Sequence, residues 1–181
     1  MMVKEYRQKR GLDFLKKEQG LDKDMGLEFV LHKKVPVGFG LGSSSSSSVL
    51  GVMAVNEAFN CPLTKRELLP FAVAAEKIVE GQERINSVVP SMLGGIMMTR
   101  NHSTLDYHRL PSIKGLQIVV IYPRNIKVYQ QAIRSKFPTP ISLKQHQEQS
   151  ANLGGFIQAL YLSDLDLLAR SLELNILEEV T

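Results

Sequence analysis

Apolar positions fall into runs of different period, and the runs predict the elements. Over residues 3–19, Leu12, Phe14 and Leu15 stand at roughly helical spacing among charges, which predicts an exposed amphipathic helix. Residues 27–32 alternate in part and predict a strand. Residues 49–59 are apolar nearly all round, the pattern of a buried helix. Asn60-Cys61-Pro62 ends it, because proline disfavours helical geometry in the residue before it. Thr64 and Glu67 have the spacing of a capping box, so a helix is expected over residues 65–79. Residues 81–91 read as a loop and a helix start. Leu93-Gly94-Gly95 then turns the chain into a strand over 96–100. Residues 101–113 are polar, broken by Pro111, and predict an irregular connection. The run Leu-Gln-Ile-Val-Val-Ile-Tyr at 116–122, closed by Pro123, predicts a buried strand. Two prolines within 136–141 mark a loop. Residues 143–161 predict a helix despite Gly154-Gly155, and Ser163 to Asp166 can cap a last helix running toward the end. Strands and helices mix without regular alternation, which favours α+β over a doubly wound sheet.

Composition narrows the class. With 44% hydrophobic residues, the 181-residue chain is ordinary globular material, and its length alone suits about one domain. A single cysteine, Cys61, excludes an internal disulfide scaffold and suits a reducing compartment. No apolar run reaches the ~18 residues of a membrane span, and no apolar stretch of a secretory signal follows the basic start. The net charge of +4, without tryptophan or a basic-aromatic stripe, argues against nucleic acid. His32, His102, His108 and His146 are scattered, and no pair has metal-ligand spacing.

The informative chemistry lies in Pro36-Val37-Gly38-Phe39-Gly40-Leu41-Gly42, followed by serines from Ser43 to Ser48. Three glycines in five residues permit positive φ and close backbone approach. The serines enter a helix N-terminus, where amides lack intrahelical acceptors and the dipole favours an anion such as phosphate. Serine hydroxyls can add hydrogen bonds or an oxygen ligand to magnesium. No lysine follows Gly42, so this is not a Walker A loop, and Ser43 breaks the dinucleotide pattern GxGxxG. A Gly/Ser run is otherwise a flexible linker. A predicted strand before it and an apolar helix beginning inside it favour the anion-binding turn.

Residues 36–46 resemble the PxxxGLGSSAA phosphate loop of the GHMP kinase superfamily, with Ser45 and Ser46 in place of the two alanines. Within that superfamily, Asn86-Ser87-Val88-Val89-Pro90-Ser91-Met92-Leu93-Gly94-Gly95 resembles the DNVAPxLLGG segment of the homoserine kinases. The strand at 116–122 with Arg134 downstream, and Leu172-Glu173 after Ala169-Arg170-Ser171, are similar to stretches of the same family. The resemblance runs from about residue 25 to residue 181. It implies a fold with a ribosomal protein S5 domain 2-like N-terminal domain, partial over 1–110, joined to the start of a ferredoxin-like C-terminal domain over 111–181. It implies ATP and Mg2+ as cofactors, L-homoserine or a similar small alcohol as partner, threonine biosynthesis as context, and a cytoplasmic location. The implied reaction moves the ATP γ-phosphoryl group to the homoserine hydroxyl, chemistry that rests on positioning and charge neutralisation.

The same resemblance assigns roles. Pro36, Val37, Gly38, Phe39, Gly40, Leu41, Gly42, Ser43, Ser44, Ser45 and Ser46 would line the nucleotide phosphates, with the amides of Gly40 to Ser46 as donors. Ser44 and Glu76 would be the catalytic and magnesium-binding pair. A glutamate on a helix is ordinarily a solvated carboxylate, but apolar neighbours on both sides favour an inward Glu76 that needs a cation. Arg134 would pair with the substrate carboxylate in the bidentate manner a guanidinium suits. Arg84, Asn86 and Ser87 fall where the family has His-x-Asp-Asn. Asn86 there removes a negative charge facing the substrate ammonium, and Arg84 adds a fixed cation. The family's N-terminal PATxANxGPGFD-like segment and its late glycine-rich segment have no counterpart. The chain is therefore expected to be the central portion of a homoserine kinase. Another GHMP kinase with a different acceptor, or a non-catalytic nucleotide-binding remnant, stays open beside it. An open sheet edge in such a portion would invite aggregation or a homodimer.

Overall fold

The computed structural model of the chain describes residues 28–60, 63–81, 83–101, 103–121 and 141–173. Helix α1 spans Ser43–Ala58, α2 Lys65–Glu80, α3 Ile85–Leu93, α4 Leu143–Leu162 and α5 Leu165–Leu172. Strands β1, Ile96–Asn101, and β2, Asp106–Leu110, pair in a two-stranded sheet. The chain divides into two compact units between His108 and Arg109.

In the first unit α1, α2 and α3 pack against one another around a single core. Each contributes one stripe at helical spacing: Val49, Val52 and Val55; Leu68, Leu69, Ala72 and Val73; Ile85, Val88, Val89 and Met92. Burying an aliphatic side chain of this kind stabilises by about 1.5–3 kcal/mol relative to exposure. The capping box forms as its spacing predicts: the Thr64 hydroxyl accepts from the Glu67 amide, and the Glu67 carboxylate accepts from the Thr64 amide at 2.8 Å. Gly81, at φ 71°, ends α2 in the left-handed conformation.

In the second unit α4 and α5 pack side by side. Ser142 and Gln145 cap α4 with a second box, and Asp164 caps α5 through the Leu167 amide at 2.9 Å. Gly155 allows the close approach, since a Cβ there would lie 2.6 Å from Ser171 Oγ.

Several expectations are corrected. Residues 28–32 carry no strand ladder, because no partner strand lies beside them among the described residues; Phe29 instead packs on the core. Residues 116–121 are neither a strand nor buried, with Ile118 80% and Ile121 91% exposed. A buried strand needs neighbours and cover on both faces, and among the described residues this run has neither. Helix α1 is buried along one stripe rather than all round, leaving Leu50 exposed. The connection expected at 101–113 contains β2. Its turn is set by Asn101, whose Oδ1 accepts from the amides of Ser103 and Thr104. The amphipathic helix at 3–19, Cys61, and the loop expected at 136–141, apart from Ile141, lie outside the described residues.

Candidate functional site

The glycine loop leads into α1. Gly38, Gly40 and Gly42 all have positive φ, at 93°, 74° and 71°. Gly42 is the N-cap, and with no side chain it caps nothing. The first intrahelical bond runs from the Ser46 amide to the Gly42 carbonyl at 2.9 Å. The amides of Ser43, Ser44 and Ser45 precede it and form the open, positive end of the helix dipole. The Ser46 amide is thus inside the ladder, which narrows the donors expected over Gly40 to Ser46. No acidic residue stands in the first turn of α1 to meet that end. Most of the loop is open to solvent, including Val37 and Gly40, while Ser43 and Ser45 are buried.

The serines diverge in role because successive helical residues point about 100° apart. Ser43 is turned toward the incoming chain: its Oγ donates to the Val35 carbonyl at 3.4 Å and lies 3.3 Å from Lys33 Nζ. Ser44 Oγ is enclosed and has no hydrogen-bond partner. Ser45 and Ser48, three residues apart, share the stripe that continues into Val49 and Val52 and faces α2.

On α2, Glu76 stands seven residues after Leu69 and four after Ala72, on the buried stripe, and is fully buried. Ser45 Oγ donates to Glu76 Oε1 at 2.9 Å, and Ser48 Oγ donates to Oε2, also at 2.9 Å. The Ser48 hydroxyl has one hydrogen; its other acceptor, the Ser44 carbonyl, is 3.3 Å away. Among the described residues, no ion pair joins Glu76 to a cationic side chain. A buried carboxylate with two hydroxyl donors and no counter-charge is uncommon, since burial of such a group is costly unless it is paired. The expected inward direction of Glu76 is therefore seen, with serine hydroxyls as its partners. Ser44, expected beside it, is not among those partners.

The donor set can be tested against the expected cofactors. A helix end with three amides ahead of the ladder, approached through glycines, suits nucleotide phosphates. Among the described residues no cluster of three or more His, Cys, Asp or Glu could hold a metal by itself. Magnesium needs no such cluster, because it commonly takes one or two carboxylates, waters and substrate phosphates. Ser44 Oγ supplies a buried oxygen without a partner, and each Glu76 oxygen keeps a second lone pair. The residues present fit both groups.

The residues expected at the acceptor site gather on α3. Arg84 is its N-cap, with its carbonyl accepting from the amides of Ser87 and Val88. Asn86 is exposed, Ser87 is half-buried, and Ile85, Val88, Val89 and Met92 turn inward. Arg134 lies outside the described residues. Sequence reasoning missed Ser48 and Lys33. The i+3 spacing puts Ser48 on the same face as Ser45, but that this face meets Glu76 is a tertiary fact, as is the turn that brings Lys33 to Ser43.

Residues 5–95 match the N-terminal domain of the GHMP kinases. The homoserine kinase of Chlorobium phaeobacteroides strain BS1 is 34% identical over 161 residues, covering 89% of this chain and 50% of that protein. That of Methanococcus maripaludis strain S2 is 31% identical over 147 residues, covering 81% of this chain and 48% of that protein. A crystal structure of homoserine kinase from Cytophaga hutchinsonii superposes with a TM-score of 0.83 at 29% identity, over 96% of this chain and 54% of that one. The chain spans about half the length of the curated relatives it matches. The match begins 20 residues ahead of the segment whose motifs are legible by eye, and it encloses the glycine loop and Glu76 alike: the chain belongs to the GHMP kinase family.

Proposed function

We propose that the chain carries the nucleotide site of a homoserine kinase, which transfers the γ-phosphoryl group of ATP to the hydroxyl of L-homoserine in threonine biosynthesis. The observation that carries this reading is the positive-φ glycine loop opening onto the free amides of Ser43, Ser44 and Ser45, in a chain 34% identical to a homoserine kinase. Those amides and the loop backbone from Gly40 bind the phosphates. Ser44 and Glu76 are the magnesium ligands and, with it, the catalytic pair; the ion would neutralise phosphate charge. The chain's own contribution is to hold the nucleotide in place, and ordering two reactants is worth about 7–11 kcal/mol of a barrier in favourable cases. Arg84, Asn86, Ser87 and Arg134 contact the acceptor. The N-terminal domain extends to residue 110, the C-terminal domain starts at 111, and the enzyme works in the cytoplasm. No described helix is long and apolar enough to cross a membrane.

One observation favours a second reading. Arg84 and Asn86 together place a fixed cation where the resembled motif has histidine and no carboxylate where it has aspartate. That charge pattern suits an acceptor with an anionic group and no ammonium, within the same kinase family.

Release of ADP from Mg-ATP by the 181-residue chain, with and without L-homoserine, tests the proposal. Homoserine-stimulated release is expected. Release stimulated only by a carboxylate-bearing alcohol without an amine supports the second reading, and nucleotide binding without any acceptor-dependent turnover overturns both.

A further inference from the structure

We infer that Ser45 and Ser48 are positioning residues that aim Glu76 at the phosphate end of α1 and set the divalent-cation dependence of nucleotide binding. The inference rests on the nucleotide site proposed above and extends it to two side chains with no role in it as metal ligands. A glutamate has three rotatable bonds, and its terminal torsion is broad and weakly restrained. One donor would fix one oxygen and leave the carboxylate plane free to turn. Here each oxygen has its own donor at 2.9 Å, both donors come from one face of α1, and the Ser45–Glu76 bond is buried. The plane and direction of the carboxylate are thereby tied to the same helix turn that presents the free amides.

Two further observations separate orientation from mere pairing. Each carboxylate oxygen accepts one hydroxyl and keeps its second lone pair, so the serines orient Glu76 without consuming it. Ser44, next to Ser45, has an enclosed hydroxyl with no partner. Holding Glu76 from positions 45 and 48 leaves that oxygen unengaged. A rigidly held ligand also favours magnesium, which demands near-octahedral geometry, over calcium, which tolerates irregular sites. Outer partners that orient a metal-binding carboxylate typically change metal affinity by about 10–100-fold when removed.

The test is equilibrium binding of ATP to the full chain in excess EDTA, in Mg2+ and in Ca2+, for the natural protein and for Ser45→Ala, Ser48→Ala and Ser48→Thr. The natural chain should bind ATP more tightly with Mg2+ than with EDTA, and more tightly with Mg2+ than with Ca2+. In Ser45→Ala the Mg2+ enhancement should fall by about tenfold or more; in Ser48→Ala, at a position with no part in holding the phosphates, binding in EDTA should stay within about twofold of the natural chain. Ser48→Ala should fall less, because that serine is only half-buried, and Ser48→Thr should restore the natural behaviour by keeping the hydroxyl. If both alanine variants keep the full Mg2+ enhancement, the inference is wrong and the site reading stands. If they weaken ATP equally in EDTA and in Mg2+, the serines only stabilise the helix pair and the inference is again wrong. If the natural chain binds no ATP, the nucleotide site itself fails and takes the inference with it.

Discussion

Replacing Ser45 by alanine isolates the hydrogen bond that joins α1 to α2 at the centre of the site. Both partners are buried, Ser45 at 1% and Glu76 at 0% exposure, so water cannot replace the lost hydroxyl. Leaving a buried acceptor without its donor costs about 1–3 kcal/mol. Alanine is the better helix former and returns up to about 0.7 kcal/mol. The cavity is small, since only one oxygen is removed. The net expectation is a loss of about 0.3–3 kcal/mol, at its upper end a sizeable share of the 5–15 kcal/mol typical of a folded domain. Part of that figure belongs to the pair rather than to the serine, and a double-mutant cycle with Glu76→Gln separates it. Urea unfolding of the 181-residue chain, followed by circular dichroism at helical wavelengths, gives the four stabilities. A coupling of at least about 0.5 kcal/mol is expected for residues in direct contact. Strictly additive single variants, or a Ser45→Ala chain more stable than the natural one, would refute the account of Glu76 as held by α1.

Further outcomes follow from single features of the same unit. Gly42→Ala should destabilise by about 1–2 kcal/mol in urea unfolding: a Cβ at Gly42 has nothing within 4 Å, so the cost is that of φ 71° for a residue with a side chain. The Thr64 amide, then the Thr64 hydroxyl, hold the Glu67 carboxyl below its ordinary range. A lowered folded-state value means stabilisation that is present at neutral pH and fades as pH falls through the acidic range. Glu67→Gln should therefore be less stable than the natural chain at pH 7, with the gap closing in acid when stability is measured across pH. Asn86→Asp puts an acidic side chain on the exposed first turn of α3, where it should add about 0.3–1 kcal/mol in low-salt thermal unfolding. The same variant should tighten L-homoserine binding if Asn86 faces the substrate ammonium, and calorimetric titration measures that directly.

How legible was this molecule in its sequence? Local chemistry was. Thr64 and Glu67 predicted their cap because the box needs only residues three apart, and Asp164 did the same for α5. The inward direction of Glu76 was suggested by its apolar flanks, Val73-Ala74-Ala75 before it and Ile78-Val79 after Lys77. Pairing was not legible. The apolar runs at 27–32 and 116–122 carry the period and composition of strands, yet a strand exists only with a partner, and no single run encodes where that partner is. β2 was missed for the opposite reason: Asp-Tyr-His-Arg-Leu is weak strand material, stabilised through the Asn101 turn and its pairing with β1. At the site, the glycine loop entering a helix was readable from the residues themselves, while a role for Ser44 came only with the resemblance to the GHMP kinase loop. The serine partners of Glu76 required knowing that α1 and α2 meet along that face, which is a tertiary fact.

The most direct test of the central claim, that α1 and its glycine loop receive nucleotide phosphates, is a comparison of ATP, ADP, AMP and adenosine binding to the 181-residue chain at one magnesium and salt concentration. The account predicts affinity that rises with phosphate number, falls with added salt, and is weakened for ATP but not for adenosine by Gly42→Ala. Equal affinity for ATP and adenosine, or a Gly42→Ala chain that is folded and binds ATP as the natural chain does, would contradict it.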